Sequence, residues 1–267
     1  MKKQEVVLKF CFPAITKRTS GTVDFAADLM TAMYKNGSIE YAGYMEDEDL
    51  KRDLIARLGN FERKLYKRLE IAQKAKITSI INQSILKCDM ALRHPEPPLY
   101  IFIFPWFPDA ETSKLFGGVN AVAPHSNVMH LFVDLRKYTL TSISETVAHE
   151  YNHLVFYALH PAKNYNLLQH ILLEGLAENF REDVLGGKPA PWATALSLNQ
   201  AKKCLKKIEP LLGSRSSKIQ QNVLFGSKEY PRWMGYAIGY NLVKDFKKRN
   251  PEMTWEQLER LKFKKFV

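Results

Sequence analysis

Val147-Ala148-His149-Glu150-Tyr151-Asn152-His153-Leu154 is the stretch from which the rest of the chain is read. It has the pattern H-E-x-x-H inside a run whose apolar residues, Ile143, Val147, Leu154, Val155 and Leu159, recur at helical spacing until Pro161. The run predicts a buried helix from about Ile143 to His160, with Thr141-Ser142 as its cap. Residues four apart on an α-helix lie about 40° apart around the axis. His149 and His153 therefore project side by side and offer two imidazole nitrogens to one metal ion. Glu150 lies too far round to complete the same coordination comfortably and is placed to accept a proton from water. A hydrolytic Zn2+ site wants three protein ligands and a fourth position for water, whose pKa falls to about 7 on the metal. A buried histidine pair is costly by itself, and a metal removes that cost.

The third ligand is sought downstream. Leu167 to about Leu185 reads as a further helix, stopped by Gly186-Gly187, and it carries Ile171-Leu172-Leu173-Glu174-Gly175-Leu176-Ala177-Glu178-Asn179. Glu174 is a carboxylate among leucines, and a turn plus an antiparallel helix fit between His153 and it. Gly175 is expected to let these two helices approach closely. Glu178, one turn on, is expected to accept the free N–H of His149 or His153. Two other readings of Glu178 compete: a surface carboxylate, or the ligand itself with Glu174 in support.

H-E-x-x-H followed on the next helix by E-G-x-x-E resembles the glutamate-zincin (gluzincin) metallopeptidases. H-E-Y-N-H with L-L-E-G-L-A-E is most similar to a bacterial family of predicted zinc-dependent proteases of unknown function. The resemblance covers roughly Leu99 to Phe246 and implies His149, His153 and Glu174 as zinc ligands and Glu150 as general base. In this class the acidic residue a turn after the third ligand often supports a ligating histidine, which matches Glu178. Amide hydrolysis also needs a donor for the oxyanion. Tyr236-Ala237-Ile238-Gly239 is similar to the Tyr-x-x-Gly helix of aminopeptidase-like gluzincins, so Tyr236 is chosen over Tyr240. Against this, both tyrosines could simply pack at a helix interface, with Gly235 and Gly239 allowing close approach. Arg232 is a weaker candidate for gripping a substrate.

Upstream, Leu99–Phe104 (LYIFIF), Gly117–Ala123 and Val128–Leu135 read as strands. Gly118, Val119, Asn120 and Ala121 form the edge expected to pair with an extended peptide, as the upstream strand does in zincins. His94-Pro95-Glu96-Pro97-Pro98 is the boundary between a mostly helical region, 1–94, and a zincin-like catalytic region, 95–267. In the first region Ser20-Gly21-Thr22 starts a helix that Asn36-Gly37 stops, and the acidic stretch from Met45 to Leu50 suits a helix start. Leu54, Leu58, Phe61, Leu65 and Leu69 then predict one long amphipathic helix. Further helices are expected around Leu196–Ile208 and Met234–Lys248, with a short one after Pro251.

Composition sets outer bounds. The 267 residues are 46% apolar and 25% charged, ordinary globular usage. Lys and Arg exceed Asp and Glu by 39 to 28, a net +11, but the lysine groups are scattered and lack interleaved aromatics, so no nucleic-acid partner is expected. Three distant cysteines without a CxxC argue against a disulfide framework and for a reducing compartment. Neither a signal peptide nor a membrane span is read, and the expected setting is cytoplasmic. Isolated His125, His130, His160 and His170 are weaker ligands than the trio.

Together these readings describe an α+β, zincin-like chain: a helical N-terminal region, a small mixed sheet packed on the motif helix, and a helical C-terminal lobe. The expected activity is peptide-bond hydrolysis by a metal-activated water, on a peptide or protein substrate, with oligomeric state unreadable. The alternative is a zinc-containing peptide- or protein-binding regulatory module with little or no turnover.

Overall fold

Four strands form one mixed sheet in the computed structural model, which describes residues 4–15, 18–35, 47–161 and 164–267. They are β1 (Val6–Phe10), β2 (Leu99–Pro105), β3 (Val119–His125) and β4 (Val128–Val133), in the order β1-β2-β4-β3. β1 and β4 run parallel to β2, while β3 runs antiparallel to β4 with Ala121 opposite Leu131. The central strands are buried on both faces, so LYIFIF and VMHLFV read as continuous apolar runs rather than alternations. β3 is an edge strand, as the peptide-pairing expectation requires. The opposite edge, β1, was not foreseen: its five residues VVLKF are all only half-buried and too few to stand out from a region read as helical.

The chain is α+β and divides into two units, residues 1–86 with 96–150, and 87–95 with 151–267. A boundary at residues 94/95 is a different cut, because the sheet takes its first strand from before the proline connector. In the first unit, Phe102, Phe104, Val128 and Phe132 share a core with Phe25 and Leu29 of α1 (Thr22–Lys35) and with Leu50, Leu54 and Leu58 of α2 (Asp47–Leu58). His130 stands edge-on to Phe102 and Phe104, fully buried. Asn36-Gly37, Met45 and Glu46 lie outside the described residues.

The single helix expected over Leu54–Leu69 is corrected. α2 ends at Leu58, where Gly59 takes φ +79°, and its backbone meets Phe107 so closely that a Cβ would sit 2.3 Å from the Phe107 carbonyl oxygen. Asn60 N–H donates to that oxygen at 2.9 Å, and Phe61 stacks on Phe25 at 4.4 Å. Arg63–Leu65 forms only a 3-10 turn before α3 (Ile71–Ala91). The leucine spacing recorded burial, not one continuous helix. α4 (Ala110–Leu115) is a short addition to the same unit.

α5 (Leu140–Leu159) carries the motif and starts three residues early, because Ser142 N–H donates to Thr139 Oγ1 at 2.9 Å and Thr139 N–H to Ser142 Oγ at 3.0 Å. The second unit is helical: α6 (Leu167–Leu185), α7 (Leu198–Ile208), α8 (Ser217–Phe225), α9 (Met234–Arg249) and α10 (Trp255–Glu259). α8 was not foreseen. Asn166 and Gln169 close a capping box at the start of α6. The close partner of Gly175 is α9 rather than α5: a Cβ there would sit 2.3 Å from the Gly239 carbonyl, and one on Gly239 only 1.9 Å from Ile171 O. Gly235 allows α8 the same approach, at Leu224. Among the described residues no helix is long and apolar enough to cross a membrane.

Two outcomes follow from this packing. Gly175→Ala and Gly239→Ala should each cost about 1–3 kcal/mol in denaturant unfolding, whereas Gly213→Ala, into open space, should stay within about 0.5 kcal/mol. Burial, with a smaller effect of Arg57, pushes His130 down from 6.5 to about 3. The unfolded chain then takes up a proton that the folded chain refuses. As pH falls through that window, wild-type stability should drop relative to His130→Leu by up to about 1.4 kcal/mol per pH unit, which urea titrations at several pH values would read.

Candidate metal centre

His149, Glu150 and His153 each offer a ligand atom within 4.8 Å of the others, on successive turns of α5. Glu150 and His153 are buried and His149 is half-buried. The two intervening residues are fully buried. Tyr151 donates its hydroxyl to Leu92 O at 2.9 Å and to Asp89 Oδ1 at 3.2 Å, and burial raises its pKa far above the ordinary tyrosine range. Asn152 donates from Nδ2 to Glu259 Oε1 at 2.6 Å.

α6 brings Glu174 to this face. Glu174 Oε2 lies 3.7 Å from His153 Nε2, with the carboxylate side chain 14% exposed. That separation is long for a hydrogen bond. Two ligands on one tetrahedral ion with bonds near 2.1 Å stand about 3.4 Å apart, so the pair fits a shared cation with a small adjustment. Two imidazoles and a carboxylate also form a donor set that suits zinc. His170, one turn before Glu174, is a neighbour that sequence reasoning set aside. Burial holds it below the usual histidine range, Glu174 pulls the other way, and His153 lowers it further.

Glu178 is 2% exposed, which removes the surface reading. Its Oε1 accepts from Arg181 Nη2 at 2.7 Å and from Ala190 N–H at 3.0 Å, while Arg181 also donates to Lys188 O at 2.9 Å. The carboxylate thus braces the segment after α6. Tyr240 donates to Glu182 Oε2 at 2.6 Å and accepts from Lys244 Nζ, so its hydroxyl is engaged. Burial and then the Glu182 bond raise its pKa. Tyr236 packs its ring against Phe225 and Trp233. Exposed Arg232 lays its guanidinium 5.4 Å from the Trp233 ring centroid. In the other unit, Gly118 takes φ +74° against the backbone of Tyr138; Val119 and Ala121 are buried, and Asn120 Oδ1 accepts from Ala121 N–H.

The sheet with its edge strand and the helix bearing the His-Glu-His group define an α+β protein with a candidate metal site. Residues 77–267 match the family model described as "Predicted Zn-dependent protease (DUF2268)", and the chain belongs to that family. It is 33% identical over 110 residues to the uncharacterized protein YjaZ of Bacillus subtilis strain 168, covering 39% of this chain and 42% of that one. It is also 23% identical over 166 residues to the uncharacterized protein YjfC of the same strain, covering 57% of this chain and 53% of that one. The chain therefore spans about half the length of these curated relatives. No solved structure gives a significant match.

Metal titration of the purified chain by calorimetry should find one equivalent of Zn2+. His149→Ala, His153→Ala and Glu174→Ala should each lose stoichiometric binding, whereas Glu182→Ala, whose carboxylate meets Tyr240 and Lys244 of α9, should retain it.

Proposed function

We propose that this chain is a gluzincin-type zinc peptidase acting on a peptide or protein substrate. The observation that carries the reading is the meeting of His153 and Glu174, at 3.7 Å, beside a helical turn that also offers His149 and Glu150. His149, His153 and Glu174 would hold the ion. A zinc ion bound there supplies Lewis-acid polarisation of the scissile carbonyl and eases ionisation of water.

The remaining roles fall to the chain's own groups. The Glu150 carboxylate takes a proton from the attacking water and hands it to the leaving amine. Tyr236 donates its hydroxyl to the developing oxyanion. Glu178, held by Arg181, supports a ligating imidazole. Gly118, Val119, Asn120 and Ala121 bind the peptide by strand addition along the free side of β3, through main-chain hydrogen bonds that tolerate many sequences.

Mixed peptide libraries read by mass spectrometry test the assignment. Glu150→Gln should bind zinc as the parent does and lose about 10²–10⁴ in turnover. Tyr236→Phe should lose about 10²–10³ in kcat with KM little changed. Equal inertness of the zinc-loaded parent and Glu150→Gln on every peptide would leave the metal-binding regulatory module in its place.

A further inference from the structure

The short helix α10 ends in a buried carboxyl group. Glu259 is 1% exposed, and its Oε1 accepts the 2.6 Å bond from Asn152 Nδ2. Its backbone carbonyl accepts a second 2.6 Å bond, from Nε2 of His160, the residue that follows α5. One residue thus clasps the motif helix at two points. Two atoms of the side-chain contact are left over. Asn152 Oδ1 and Glu259 Oε2 are buried and have no hydrogen-bond partner among the described residues.

With an ionised carboxylate, both leftover atoms are acceptors with no donor, an expensive arrangement in a dry interior. They are the other halves of the amide and the carboxyl that already share a bond. A single hydrogen on Oε2 is the one atom able to satisfy both, because a carboxylic acid and a primary amide pair through two complementary bonds. Among the described residues, the hydrogen-bonding groups that meet Glu259 are the neutral amide of Asn152 and the His160 ring, which reaches only the backbone carbonyl. Neighbouring Arg260 is exposed and reaches Glu256.

We propose that Glu259 is a positioning residue that works in its neutral form, closing a two-bond acid–amide pair with Asn152 and so fixing the rotation of α5 at the turn bearing His149 and His153. Its bearing on the metal rests on the ligand assignment above, whereas the protonated pair does not. Burial pushes the Glu259 carboxyl up from 4.5 to about 8, against the opposing Asn152 bond. The unfolded chain therefore loses this proton first, and rising pH favours unfolding until the folded group also ionises.

Glu259→Gln is the diagnostic variant, because glutamine reproduces the acid's acceptor and donor without titrating. Urea unfolding of metal-free protein should show E259Q gaining on the parent by up to about tenfold in folding constant per pH unit, between about 4.5 and about 8. Carbon-13 spectra of glutamate-labelled protein should hold one carboxyl resonance, missing in E259Q, at its protonated position at pH 7. A flat pH comparison, or an ionised Glu259 resonance, overturns the pair. For the positioning role, Zn2+ affinity is measured by chelator competition. Glu259→Ala and Asn152→Leu should weaken it by about 10–100-fold, with E259Q restoring most of the loss. Zinc affinity that ignores loss of the pair overturns the positioning role. Should Glu259→Ala fail to fold, Asn152→Leu and E259Q decide the same question. A parent that binds no zinc would sink the peptidase reading and the positioning role, and leave the protonated pair to the pH comparison.

Discussion

Two imidazoles one turn apart serve a single ion only while their helix is kept from rotating about its own axis, and in α5 that restraint comes from the two residues between the histidines. Tyr151 and Asn152, the two variable positions of the motif, are fully buried and end in hydrogen bonds to Leu92, Asp89 and Glu259. A slip of one residue would swing each side chain by about 100°. It would bury the imidazoles among apolar groups and strip the tyrosine and asparagine of their partners. The side chains that hold α5 still are not those of the His-Glu-His group.

α6 is held by a different device. At Gly175 and Gly239 the backbones of α6 and α9 approach so closely that no side chain fits between them. Further along, Asn179 donates to Gly175 O at 2.8 Å and to Tyr240 O at 3.0 Å. The Glu178–Arg181 pair then ties the end of α6 to the following segment. Glu174 thus stands on a rigid element, and its carboxylate meets His153 without a large entropic cost.

The motif, the bounds of α6 and the central strands were legible because each rests on local physics: period 3.6, a capping residue, or a β-branched and aromatic run. Leu54 and Leu58 show where local physics misleads. They are buried at helical spacing, yet Gly59 turns the chain to meet Phe107, a residue far along the sequence. β1 failed for a related reason, since a short half-buried strand owes its existence to β2. Glu178 was expected to be near the site and is buried; Arg181, three residues on along α6, is a partner that helical spacing allows, but Ala190 comes from a segment whose path spacing cannot foretell.

What the amino-acid order determined by itself is the pairing of His149 with His153, the neighbouring Glu150, and the presence of a carboxylate on a following helix, because these depend only on rise and rotation per residue. What tertiary structure alone decided is which glycines meet, that the Tyr240 hydroxyl meets Glu182 and Lys244, and that Glu259, more than a hundred positions away, closes on Asn152. Such contacts join residues whose separation in sequence carries no period. They are selected by which polar groups must be satisfied once both elements are out of water.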